Sequence, residues 1–268
     1  MGSFLLVFRH YFMRTIKDRL SLLIQIVFPI GIILTFILIS DNIEGDLLGF
    51  EDFMMGDYSY LHTNAAITMM LFFQLFGGLW GLNYLYYDLR DARKYRLYFA
   101  PVNKVVYPLA AMMGSWMVSI VQGVIVIIIT SLILDVYWAN RLVVALALIG
   151  VSLFSHFAFA LIFMVTKNLQ QATAIGFGVV LFIGAVSGAL MGDFRTFVDS
   201  EIIDFLFEWG TPVSLGRRAI FESGFMGLDG LGGDNMDLAV IAIIFLFVIT
   251  AITAAGVYFI GDGKRHGE

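Results

Sequence analysis

The sequence predicts an all-α integral membrane protein with six transmembrane helices, an amphipathic interfacial helix before the first, and short outer interfacial or re-entrant helices before the last. Three observations carry this prediction. Hydrophobic residues make up 60% of the 268 and charged residues 14%, with a mean hydropathy of +0.88, which excludes an ordinary water-soluble domain. The charges fall in short clusters between apolar runs of about 20 residues, the length a helix needs to cross ~30 Å of hydrocarbon. Those runs lack the two-residue alternation of barrel strands, so helices must satisfy their backbone groups in lipid.

The elements follow in order. Residues 1–19 mix Phe4, Leu5, Phe8, Tyr11, Phe12 and Ile16 with Arg9, Arg14, Lys17 and Arg19, the pattern of a basic helix lying in the membrane interface. Spans are expected at Leu20–Ile39, Asn64–Tyr87, Leu109–Leu134, Leu142–Val165, Ala172–Met191 and Leu238–Ile260. Between the last two, the outer segment 192–237 carries Phe194, Val198, Ile202, Phe205 and Trp209 at helical spacing, with Glu201, Asp204 and Glu208 on another face, as an interfacial helix would. Thr211-Pro212 is an N-cap followed by a first-turn proline, opening a second short helix through Arg217, Arg218 and Phe221 that ends near Gly224.

Lysine and arginine set the orientation. Twelve of the sixteen lie before span one, after spans two and four, and in the tail, whereas Arg141, Arg195, Arg217 and Arg218 lie on the other side. The positive-inside rule then puts both termini in the cytoplasm, in agreement with an even number of crossings. The first outer loop holds Asp41, Glu44, Asp46, Glu51, Asp52 and Asp57 with no base. It reads as a solvated loop or as a negative vestibule that concentrates cations. Near the expected interfaces stand Trp80, Tyr84, Tyr86, Tyr87, Tyr137 and Trp138, read as interfacial anchors.

Chemistry-bearing motifs are scarce. The chain has no cysteine, and His10, His62, His156 and His266 are scattered without HExxH spacing, so neither a disulfide nor a metal site is expected. No phosphate-cradling G-x-x-x-x-G-K-[ST] and no G-x-S-x-G elbow occurs; hence no catalytic residue is assigned, and any ATP hydrolysis belongs to another polypeptide. The start lacks a myristoylation serine and a cleavage site, so the N-terminus is expected to be retained. Polar residues inside spans, Gln25, Gln74, Asn83, Gln122 and His156, either bond between helices or line a path; Gln74, Asn83, Gln122 and His156 are the candidates for a substrate path. Gly77 and Gly81, and Gly184 and Gly188, have the G-x-x-x-G spacing of close helix packing, within one subunit or across a dimer seam.

The segment 88–104 is the most informative: Asp88, Arg90, Arg93, Lys94, Arg96 and Leu97 lead into Pro101, whose ring stops a helix. It reads either as ordinary positive-inside charge or as a short helix that fits a groove on a cytoplasmic partner. With the basic entry helix, Pro29 in span one, the R-L-x-x-x-P-V element at Arg96, Leu97, Pro101 and Val102, and the outer helix pair with Pro212 and Arg217 or Arg218 ahead of Gly224, the chain resembles the membrane subunit of an ABC-2-type transporter along its whole length. It departs from the family's usual Gly-Thr before the R-L element, having Lys94-Tyr95.

The resemblance implies a single type V exporter-like domain over 1–268, with 88–104 as a coupling loop seated on a separate ATPase. Two copies of that ATPase, holding ATP and Mg, and a second permease subunit, identical or related, are the implied partners, together with the bilayer and no nucleic acid. It also implies a place in the bacterial cytoplasmic membrane. The expected cargo is an amphiphilic or apolar molecule such as a drug, an antimicrobial peptide or a lipid-like compound. The alternatives are a polysaccharide or lipid-linked glycan exporter, a non-transporting scaffold or immunity protein, and an intramembrane enzyme.

Overall fold

A computed structural model describes residues 2–43, 58–89, 106–133, 136, 138, 140–190, 200–224 and 235–263, with side chains over most of these ranges. Among the described residues the regular structure is helical throughout. Helix α1 is Gly2–Lys17; α2 is Arg19–Leu22, followed by a π turn at Leu23–Val27 and by α3, Phe28–Ile43. The long helices are α4 (Tyr58–Leu89), α5 (Val106–Ile133), α6 (Arg141–Val165), α7 (Leu169–Val186) and α10 (Met236–Gly263), with the short α8 (Glu201–Glu208) and α9 (Pro212–Glu222) between the last two. Five of these are long and apolar enough to cross a membrane, and the bent pair Phe4–Lys17 and Arg19–Thr35, meeting at 67°, supplies a sixth candidate.

The bend has a local cause. Asp18, in extended conformation, caps α2 by accepting from the backbone N–H groups of Leu20 and Ser21, so the chain leaves one helix and starts another at a single residue. The sequence predicts one unbroken span from Leu20, but Leu23–Val27 instead forms a π turn closed by the Phe28 N–H on the Leu23 carbonyl. Pro29 explains it: a proline has no N–H to offer and its ring displaces the carbonyl four residues back, which the wider turn absorbs.

Helix α4 is the central strut. In its most apolar stretch 78% of residues are buried, against 22% in α10, so α4 is surrounded by protein while α10 presents most of its surface outward. Glycines allow the close contacts. Gly77 and Gly81 of α4 lie against Ser119 and Ser115 of α5 and against His156 of α6, which gives the first G-x-x-x-G pair a use within one subunit. The second pair differs from its helical reading: α7 ends at Val186, and Gly188 takes a left-handed φ of 78° that an L side chain resists. Gly188 thus terminates α7 earlier than the Met191 read from hydropathy.

Several predicted interfacial aromatics are buried and tie neighbouring segments together. Tyr84 donates to Asp18 at 2.5 Å; the Tyr86 hydroxyl bonds the carbonyl and hydroxyl of Thr166, which caps the end of α6; Trp138 donates its indole N–H to Thr130 at 3.2 Å. All three are buried, whereas Tyr87 is exposed. A polar tip inside a bundle needs a partner, and each of these found one.

Candidate functional site

Two groups of polar side chains organise the bundle. The first fastens α1 to the ends of α4 and α5. Along α1, Val7, Tyr11 and Thr15 are buried at four-residue spacing, and Gly114 of α5 lets α1 approach so closely that a Cβ there would lie 2.8 Å from the Phe8 carbonyl oxygen and 3.0 Å from the Phe12 nitrogen. The Tyr11 hydroxyl donates to Asp88 Oδ2 at 2.5 Å and lies 3.0 Å from the Tyr107 hydroxyl. Arg14 donates to the same Asp88 oxygen at 2.7 Å and lies 4.4 Å over the Tyr84 ring.

Asp88 therefore differs from its reading as the opening residue of an exposed loop: it is in the last turn of α4, 2% exposed. Arg90, Arg93, Lys94, Arg96, Leu97 and Pro101 lie outside the described residues. What is described is the pair of attachments on either side, Asp88 and Tyr107, both bonded to Tyr11. The outward face of α1 is mixed, with Leu5, Leu6, Met13 and Ile16 exposed and a shallow recess of about 370 Å³ lined by Leu6, Arg9, His10, Met13, Arg14 and Lys17. Such a face suits the boundary between acyl chains and headgroups. Tyr11→Phe should remove both hydroxyl contacts while keeping the ring, at a cost of about 1–3 kcal/mol in detergent unfolding, and Arg14→Ala in the same background should add less than it does alone. Strict additivity would show that the three groups do not act together.

The second group lies where α4, α5 and α6 meet. Gln74, Gln122 and His156, three of the four path candidates, are each no more than 2% exposed, and Asn83 is half-buried. Ser115, Ser119, Ser152 and Ser155 are buried with them. Ser155 donates to the Leu75 carbonyl at 2.9 Å, welding α6 to α4, and His156 Nδ1 lies 2.8 Å from the Ser152 carbonyl. These three candidates occupy the interior of one subunit, so a path between two subunits would run in front of them. Gln25, on the first span, is buried and donates to Ser21 at 3.0 Å.

On the far side of α6, the Thr211 hydroxyl accepts from the Ser214 N–H with Pro212 behind it, as the sequence predicts, and α9 is buried along most of its length. Gly216 allows this, since a Cβ there would already press Leu71 at 3.0 Å and Val151 at 3.1 Å. Arg217 reaches back to the Ser187 and Phe207 carbonyls at 2.8 and 3.0 Å, and Arg218 pairs with Glu208 at 2.5 Å. Hydropathy and charge counts had no means of finding the Arg217 staple or the Tyr11 node, because the partners are 10 to 96 residues away.

A search of curated proteins finds no match to the chain. The family model of the ABC-2 type transporter matches residues 2–192, which takes in α1, the bent first span, both polar groups and α7. With that match over most of the length and a bundle of membrane-spanning helices beneath it, the chain belongs to the ABC-2 type transporter family and is a multi-pass membrane transport subunit.

Proposed function

We propose that the chain is the permease subunit of an ATP-driven exporter, a single domain over 1–268 of type V exporter-like architecture in the bacterial cytoplasmic membrane, with both termini cytoplasmic. A separate ATPase, in two copies with ATP and Mg, engages the 88–104 segments of a permease dimer. The cargo is amphiphilic or apolar: a drug, an antimicrobial peptide or a lipid-like molecule. The observation that carries this reading is the double attachment at Tyr11. A load applied to the segment between Asp88 and Tyr107 reaches α4, α5 and the interfacial α1 together, so the cytoplasmic ends of these helices move as one unit. A packed bundle with fixed joints switches between discrete arrangements rather than deforming continuously. The cargo reading is supported by the apolar exposed faces of α5, α7 and α10 and by the scarcity of charge in the spans.

Purification of the tagged chain from its native membrane should bring an ATP-binding subunit with it. In that complex, reconstituted in lipid, Arg93→Glu with Arg96→Glu is expected to reduce membrane-subunit-dependent ATP hydrolysis by about tenfold, or ~1.4 kcal/mol of coupling, without changing the melting temperature. Hydrolysis at the native rate would remove the segment from the mechanism, and a chain that purifies alone would remove the ATPase.

A further inference from the structure

We propose that the junction of α4, α5 and α6 holds bound water near the middle of the membrane, bridging Gln74, Gln122, Ser152 and His156. The inference is independent of cargo and of the partner ATPase.

The polar groups themselves select the ligand. Five buried atoms here have no hydrogen-bond partner among the described residues: Gln74 Oε1, Gln122 Oε1, Gln122 Nε2, Ser152 Oγ and His156 Nε2. His156 Nδ1 faces the Ser152 carbonyl at 2.8 Å; a carbonyl only accepts, so Nδ1 carries the proton and, in the neutral ring, Nε2 is an acceptor. The unmet demand is therefore mixed: three acceptors, Gln74 Oε1, Gln122 Oε1 and His156 Nε2, beside the amide N–H groups of Gln122 and the hydroxyl of Ser152. A cation would satisfy the acceptors and leave the Gln122 amide hydrogens unpaired. An anion would do the reverse. A small neutral molecule that both donates and accepts satisfies all of them, and water does both.

The groups belong to one seam. His156 Cε1 comes within 3.2 Å of where a Cβ on Gly77 would stand, next to the Ser119 hydroxyl, and His156 Cδ2 within 3.7 Å of the same point on Gly81, so the ring edge bearing Nε2 is turned toward the glycine face of α4. Gln74 Nε2 lies 2.8 Å from the Cβ position of Gly123, the neighbour of Gln122. Absent side chains at Gly77, Gly81 and Gly123 let the His156 ring and the Gln74 amide lie directly against the neighbouring helices. Gln74, Gln122 and His156 each stand well inside their spans, Thr63–Leu89, Tyr107–Ile133 and Arg141–Val165. There, leaving one such group unpaired costs about 1–3 kcal/mol and lipid offers no substitute. Five such atoms on three packed helices are met most simply by water held between them.

The test is water-edited solid-state NMR on the full chain, with ¹⁵N-histidine, in phosphatidylethanolamine–phosphatidylglycerol vesicles. His10→Gln, His62→Gln and His266→Gln leave His156 as the one labelled ring. Magnetisation from water is expected to reach the His156 ring, with the Nε2 resonance displaced toward that of a hydrogen-bonded acceptor, and both effects should be lost in Gln122→Leu or Ser152→Ala. A ring that receives no more magnetisation from water than the helix-bonded backbone amide of His156 itself would overturn the proposal, as would transfer that persists in both variants. Since the decisive measurement is made with the four bridging residues intact, a variant that fails to fold does not protect the idea.

Discussion

Arg217→Ala is expected to lower the unfolding free energy by about 3–5 kcal/mol, with Arg217→Lys recovering less than half of the loss. Arg217 is 9% exposed; its guanidinium donates from Nη1 to the Ser187 carbonyl and from Nη2 to the Phe207 carbonyl and stacks 4.0 Å over the Phe207 ring. Ser187 is the C-cap of α7, and Phe207 lies in the last turn of α8. Carbonyls at helix ends have no partner within their own helix, and a cation there also meets the negative end of the helix dipole. Removing the side chain takes its donors away from both carbonyls and unties two helix ends at once, while a lysine lacks the planar fork that reaches them from two nitrogens. Arg218 is the internal control. It is more exposed, pairs with Glu208 and lies 4.1 Å over Trp209, and Arg218→Ala should cost no more than ~1 kcal/mol. Denaturant unfolding in detergent compares the two, and equal losses would mean that the buried position of Arg217 confers nothing.

The contrast between these neighbouring arginines shows what a sequence can and cannot disclose. Both enter the same charge count, and the short helix that carries them is readable from Thr211-Pro212. Which one turns inward depends on where the ends of α7 and α8 come to lie, and no local pattern encodes that. Crossing helices are legible because solvation by lipid is a property of each segment alone: the apolar run Leu142–Val165 starts within a residue of α6 and ends with it at Val165. Breaks are legible only where the chemistry is local. Asp18 before an apolar run is an N-cap signal of this local kind, and Pro29 announces a disturbance without specifying that it takes the form of a π turn.

The polar candidates divide in the same way. That Gln74, Gln122 and His156 need partners follows from hydrocarbon burial, so their importance could be read. Their meeting place inside one subunit, rather than on an open wall, required the register of α4 against α5 and α6. In sequence, Asp88 belongs to a run of charges. Its neighbours in space, Tyr11 and Arg14, are 77 and 74 residues away.

That register is fixed at Gly78, and Gly78→Ala is expected to destabilise the bundle by about 3 kcal/mol, the upper end of overpacking costs. A Cβ on Gly78 would lie 2.6 Å from Phe159 Cδ2 and 2.7 Å from the Ser155 carbonyl carbon, besides touching the Ser155 hydroxyl. A flexible side-chain tip can swing aside. A backbone carbonyl cannot, so α6 must move away from α4, and the Ser155 bond to the Leu75 carbonyl is stretched or broken with it. Elsewhere the same substitution should carry the opposite sign. Gly31 and Gly178 have nothing within 4 Å of their Cβ positions, and alanine in an open helical site recovers about 0.5–1 kcal/mol of glycine's conformational entropy. Three single-methyl variants, measured by thermal unfolding in one detergent, thus separate close approach from helix propensity. A stabilised or unchanged Gly78→Ala variant would mean that α4 and α6 stand further apart than this contact requires.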